Sequence, residues 1–239
     1  MVRAPAQRPT PRISVNDLAQ FMVSSDTARM GIIRRAKTPP AAPIIRYRDV
    51  RPVVTAYLAD PLRTVNHIVA AEAMFDQRAS DPAESPLRQD DARQSIEVLH
   101  ALQQMQNSLG AFDFHAAPPD QPKINLAGVE VSIRAELLVH GVARGGAHQI
   151  GGAVLRLTQD VGDSDAARDK RREMGLYVAT MASRHIGDHF AGTRTVSNRL
   201  CMSIDVQHGE VFIAPPAVTR RMADMENACR FIAAMWESA

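Results

Sequence analysis

The sequence predicts an α/β fold, with α+β as the alternative. A central mixed sheet of about four strands is flanked by helices, under an N-terminal helical layer. Three observations predict it. Two β-like segments follow each other between Val129 and Thr158. Helical segments precede them, and a helix, a hairpin pattern and a last helix follow. Hydrophobic residues make up 45% of the 239 residues, enough for a substantial core.

Residues 1–12 (M-V-R-A-P-A-Q-R-P-T-P-R) read as a disordered, basic, proline-rich tail. Residues 13–239 read as one α/β domain, with a helical part over 13–110 and a sheet-containing core over 123–239. Ile13 to Leu18 opens the first helix: Ser14 or Asn16 caps its free amides, and Asp17 suits the positive end of the dipole. Ser24-Ser25-Asp26 interrupts it, and Thr27 to Arg35 forms a second helical piece. Thr38 to Pro43 (T-P-P-A-A-P) is a linker, because its prolines exclude a continuous helix.

Pro52 splits Tyr47 to Leu58, with Val53 to Leu58 the start of a helix. Leu62 to Arg78 is a clearer helix, with Pro61 at its first turn and Val65, Ile68, Val69 and Phe75 on one face. Glu72 falls among them. It either snorkels, pairs with an arginine, or ligates a metal. Ser80 to Gln89 is a surface loop. Asp90 to Leu109 is an amphipathic helix carrying Ile96, Leu99, Leu102, Met105 and Leu109, and His115 to Pro122 is a loop.

In Val129 to Val139, Val129, Val131, Ile133, Ala135, Leu137 and Val139 alternate with Glu130, Ser132, Arg134, Glu136 and Leu138, a period of two that predicts one strand. Glu136 then projects from the polar face, as a solvated carboxylate beside Arg134 or as a catalytic group. The second segment, Q-I-G-G-A-V-L-R-L-T, is apolar on both faces except at Arg156, as in a central strand. Gly151 and Gly152 permit a bulge or a close backbone approach. Gln159 to Asp165 is a loop, and Ala166 to Ile186 a helix. Leu200 to Val206 and Val211 to Ala214 flank the turn Gln207-His208-Gly209-Glu210. Thr219 to Trp236 is the last helix, burying Met222, Met225, Cys229, Ile232 and Met235 or Trp236.

A formal net charge of +2 gives no strong global field towards nucleic acid or anionic membranes. Cys201 and Cys229 form neither a disulfide framework nor a four-thiolate site. No apolar run approaches a membrane span, and the N-terminus lacks the apolar centre of a signal peptide, so a cytoplasmic location is expected. No P-loop, G-x-G-x-x-G, H-E-x-x-H or G-x-S-x-G occurs, which argues against the common nucleotide-binding, zinc-protease and hydrolase classes. His185 and His189 are spaced i, i+4, as a metal pair or as a basic helix end.

Four stretches together resemble RecB-like members of the PD-(D/E)XK nuclease superfamily. Ile13 to Phe21 resembles the opening "S-x-S-x-L-x-x-F" helix, and Ala135-Glu136-Leu137-Leu138-Val139 the "P-D" strand. Val154-Leu155-Arg156-Leu157-Thr158 stands at the "(D/E)-x-K-T" strand, and Glu173-Met174-Gly175-Leu176-Tyr177 resembles the "Q-x-x-x-Y" motif. The resemblance implies Glu136, Arg156, Glu173 and Tyr177 in an active-site groove, Mg²⁺ or Mn²⁺ held by Glu136 and Glu72, and DNA or RNA phosphates held by Arg168, Arg171 and Arg172. The departures imply a degenerate site. Val154 stands where the second carboxylate belongs, and Arg156, in place of the lysine, cannot act as a base at neutral pH. Two functions follow: a protein that binds or processes nucleic acid, or a non-enzymatic scaffold. The scaffold would meet a partner or a second copy through Met222, Met225, Met235 and Trp236.

Overall fold

The computed structural model describes residues 7–39, 45–157, 162 and 164–239. The first six residues, most of the 38–43 linker and most of the 159–165 loop lie outside them, as does Thr158. Among the described residues the chain is mixed α/β. It runs β1 (Arg12–Ser14), α1 (Val15–Met22), α2 (Asp26–Lys37), α3 (Val50–Ala59), α4 (Asn66–Ser80), α5 (Pro86–Gln104), α6 (Gln106–Leu109), β2 (Asp113–Ala116), β3 (Ile124–Leu126), β4 (Val129–Ser132) and β5 (Leu137–Val142). Then come β6 (His148–Arg156), α7 (Asp165–His189), β7 (Thr195–Val196), a 3₁₀ turn (Asn198–Leu200), β8 (Met202–Asp205), β9 (Glu210–Ile213) and α8 (Thr219–Met235).

There are two sheets, not one of about four strands. A six-stranded sheet has the order β2-β5-β6-β8-β9, with β7 also paired to β6; a three-stranded sheet has the order β1-β4-β3. β2, β5 and β6 are successive antiparallel neighbours, and α7 carries the chain over to β8, which lies parallel to β6. One core fills the side of α3, α4 and α5, with Leu155, Leu137 and Ile204 in it. A second, with Val154, joins α1, α2, α7, α8 and the small sheet. Among the described residues no helix is long and apolar enough to cross a membrane.

The expected single strand over 129–139 is two strands in different sheets, with residues 133–136 crossing between them. Ile133 and Ala135 stay buried in the crossing, so the alternation persists where the pairing does not. Glu136 belongs to this crossing and is buried rather than solvated. β2 and β3 lie in or beside the stretch read as a loop; β2 buries only Phe114, so no apolar alternation reveals it.

The N-terminal stretch is tied in before residue 13. The Arg8 amide donates to the Lys37 carbonyl at 2.8 Å, Trp236 Nε1 donates to the Arg8 carbonyl, and Arg12 opens β1 against β4. Ser14 caps α1, its Oγ accepting from the Asp17 amide. α4 starts at Asn66, not beside Pro61. Asp60 accepts from the Thr64 hydroxyl and from the Thr64 and Leu62 amides, and these bonds draw its carboxyl down to about 2. Leu62 is 85% exposed, Val65 and Val69 are exposed too, and the buried stripe is Ile68, Ala71 and Phe75. α5 begins four residues before the expected start, on a Ser85 cap with Pro86 at the first turn.

The glycines of β6 serve close approach. A Cβ on Gly151 would run into the Leu200 carbonyl, and one on Gly152 into Ile186 of α7. Both allow the 3₁₀ turn and α7 to seat on the sheet. Cys201 and Cys229 are buried free thiols.

Candidate functional site

Glu136 sits one residue before β5. Leu137 pairs with Ala153, so the next position along β6, Val154, lies beside Glu136, and Leu155 has no β5 residue to pair with. The Glu136 side chain completes that ladder. Its Oε2 accepts from the Leu155 amide at 2.9 Å. Its Oε1 forms an ion pair with Arg51 Nη1 of α3, and the same Nη1 donates to the Leu155 carbonyl at 3.2 Å. Both main-chain groups of Leu155 are thereby satisfied by side chains. Burial pushes the Glu136 carboxyl up, against the opposing pull of Arg51 and the Leu155 amide. Arg134 Nε stands 3.8 Å away, a weaker companion.

The cavity beside Glu136 is about 300 Å³ and lined by Pro52, Thr55, Ala56, Pro118, Pro119 and Arg134, among others. Among the described residues no second carboxylate lines it. Val154 packs into the core, 3% exposed.

The other predicted groups are drawn elsewhere. Arg156 is buried, and its Nη1 lies 3.3 Å from Asp205 Oδ2, its register partner on β8. Asp205 in turn accepts from His208 Nδ1 at 2.8 Å. Arg156 also reaches the Arg171 carbonyl of α7 at 3.5 Å. Among the described residues, β8 and α7 thus supply partners to Arg156, while α3, the β6 main chain and, more weakly, Arg134 supply those of Glu136. Glu173 is held bidentate by Arg221 of α8, at 2.9 and 3.3 Å. The Arg221 guanidinium lies over the Tyr177 ring at 4.8 Å. Glu173 and Tyr177 therefore serve the α7–α8 contact.

Arg171, expected to bind phosphate, is 2% exposed and donates to the Gly162 carbonyl. Arg168 and Arg172 are exposed, with Arg168 beside Asp165 at 3.5 Å. Glu72 pairs with His100 of α5 at 2.8 Å on the α4–α5 surface and joins no ligand group with Glu136. His185 is buried, its Nε2 3.0 Å from Gln121 Oε1, and burial lowers it to about 4. It is a core histidine more than a helix-end cation. On α8, Met225 and Trp236 are buried, and Met222 and Met235 pack against the same core. The exposed apolar group of that helix is Phe231, 47% exposed beside Phe21.

Other groupings lie outside the sequence reading. Arg8, Arg12 and Arg35 line a pocket of about 300 Å³ with Ser14, Asp17 and Ser132. Among the described residues, one group of His and Asp side chains is placed to share a metal ion: Asp113, His115 and His140. Asp113 and His115 flank a single buried residue, Phe114, too short a pattern to mark a strand, and His140 comes from a neighbouring strand.

The chain matches no protein-family model, no curated protein and no solved structure.

Proposed function

We propose that this protein binds nucleic acid without cleaving it, on a nuclease-like core whose catalytic positions have become structural. The order of parts supports the reading. Glu136 lies just before β5, the 154–156 stretch ends the antiparallel neighbour β6, and the Glu173/Tyr177 pair sits on the helix that follows. The observation that carries the loss of catalysis is the cavity at Glu136. Among the described residues it is lined by one carboxylate, already committed to Arg51 and the Leu155 amide. A site that activates water through a bound divalent ion needs more free oxygen ligands than that. Cationic surface is available instead at Arg168 and Arg172, and at the Arg8, Arg12 and Arg35 pocket, where guanidinium groups suit phosphate.

The test is binding and cleavage of labelled single- and double-stranded DNA and RNA, with Mg²⁺, Mn²⁺ or chelator. Binding should weaken steeply with salt, and no cleavage should occur. Arg12→Ala with Arg35→Ala should weaken binding across sequences and flatten the logarithmic salt slope, by about 0.7–0.9 per lost phosphate contact. Metal-dependent cleavage that Glu136→Ala abolishes would overturn the loss of catalysis. Absence of binding at low salt would overturn the nucleic-acid reading. The scaffold alternative would then stand, with Phe231 as its exposed apolar group.

A further inference from the structure

The β2–β5 pair carries a feature that owes nothing to the nuclease-like positions. β2 is the edge strand of the large sheet. Antiparallel register places Asp113 directly opposite His140, and His115 is two residues along β2 from Asp113. Period two puts Asp113 and His115 on one face, opposite Phe114, which points into the core. The three side chains converge there. Their ligand atoms all lie within 4.8 Å of one another. The His115 and His140 rings stand 4.0 Å apart, and His115 Nε2 is 3.1 Å from Asp113 Oδ2.

We propose that Asp113, His115 and His140 form a binding site for a borderline divalent transition-metal ion, with zinc as the test ion. Two imidazoles and one carboxylate favour zinc, nickel or copper over magnesium or calcium, which prefer all-oxygen shells. Bond lengths of about 2.0–2.2 Å place tetrahedral ligand atoms roughly 3.3 Å apart. The present spread therefore needs a contraction of about 1.5 Å or less, which side chains on a partly exposed face can supply. Three protein ligands leave a fourth position to solvent.

The state of His140 fits this role. Arg194 Nη1 lies 3.2 Å from His140 Nε2; a guanidinium only donates, so that nitrogen carries a lone pair. Burial, His115 and Arg194 together push the His140 imidazole down. Arg194 thus occupies the lone pair a metal would use and competes with it. Swung aside, it leaves the position open. A bound ion would tie the edge strand to its neighbour by a second kind of bond besides the ladder.

The experiment is titration of the full chain with Zn²⁺ against a chromophoric chelator, and with Co²⁺ followed by its visible absorption. One equivalent of each should bind. His115→Ala and His140→Ala should each weaken Zn²⁺ by about 100-fold or more, no less than the loss of an outer-shell partner. Asp113→Asn should weaken it too. Arg194→Ala should tighten it by roughly two- to fivefold, the range of an exposed charge interaction. Circular dichroism should show these surface variants folded. Zinc binding that survives both histidine changes would place the ion elsewhere and overturn the proposal. So would the absence of stoichiometric binding at micromolar metal, or displacement by equimolar Mg²⁺. None of these outcomes bears on nucleic-acid binding.

Discussion

Glu136→Ala separates a structural carboxylate from a catalytic one. The substitution removes an acceptor from the Leu155 amide and the counter-charge from Arg51. The Glu136 side chain is 3% exposed, so its loss leaves a buried donor unpaired, at about 1–3 kcal/mol. Removing one member of a buried ion pair costs about 3–5 kcal/mol in full burial. Arg51 is 24% exposed and recovers part of this through water. The two figures overlap, since they describe the same atoms, and the expected total is about 3 kcal/mol. For a chain of this size that lowers the melting temperature by roughly 6–12 °C. The assay is urea unfolding followed by circular dichroism, with the midpoint and slope recorded separately. Glu136→Gln should fall between wild type and Ala, because its amide oxygen still accepts from Leu155 while its NH₂ faces Arg51 as a second donor. Stability unchanged within about 0.5 kcal/mol, the noise of a neutral surface site, would refute the structural role.

Other substitutions probe the same architecture. Val154→Asp places a carboxylate beside Glu136 but buries it among α1, α7 and α8. It should destabilise the fold by about 3 kcal/mol and restore no metal-dependent cleavage, read by unfolding and by nuclease assay. His185 is held at about 4, below its unfolded value of 6.5, so the unfolded chain binds the proton first. Its contribution to stability is full above pH 6.5 and declines as pH falls towards 4, by roughly 3 kcal/mol. Comparing unfolding of wild type and His185→Gln between pH 7 and 4 should show a shallower slope in the variant. Gly151→Ala forces a methyl against the Leu200 carbonyl and should cost about 3 kcal/mol or prevent folding, measured by soluble yield and thermal unfolding.

Long periodic stretches were legible. α5 and α8 follow their apolar spacing, α7 spans the helix expected over 166–186, and the β8–β9 hairpin turns where Gln207-His208-Gly209-Glu210 places it, with Gly209 at φ 66°. The split of 129–139 was not legible, because alternation reports which side chains are buried and not which strand is the partner. β2 escaped because Asp113, His115 and Ala116 face outwards on an edge. At the candidate site, Glu136 was legible as a residue but not in its role. Its partner Arg51 lies 85 positions earlier, and Asp205 lies 49 positions after Arg156. Nothing local in either stretch specifies those pairings. Asp113 and His140 meet only through the β2–β5 register, which no single segment encodes.

The crossing between the two sheets is held together by side chains standing in for backbone. Gln121 donates to the Ala135 carbonyl at 2.7 Å and accepts from the Ala135 amide at 3.0 Å, as a strand residue would. Glu136 and Arg51 do the same for Leu155. The protection of the Leu155 amide against hydrogen exchange thus reports on whether α3 is docked. If α3 lifts away, Glu136 loses its counter-ion and the last turn of the ladder loosens with it. The helical half and the sheet therefore open together, and the exchange rate of one amide in a central strand would time the undocking of a helix 104 residues away in the chain.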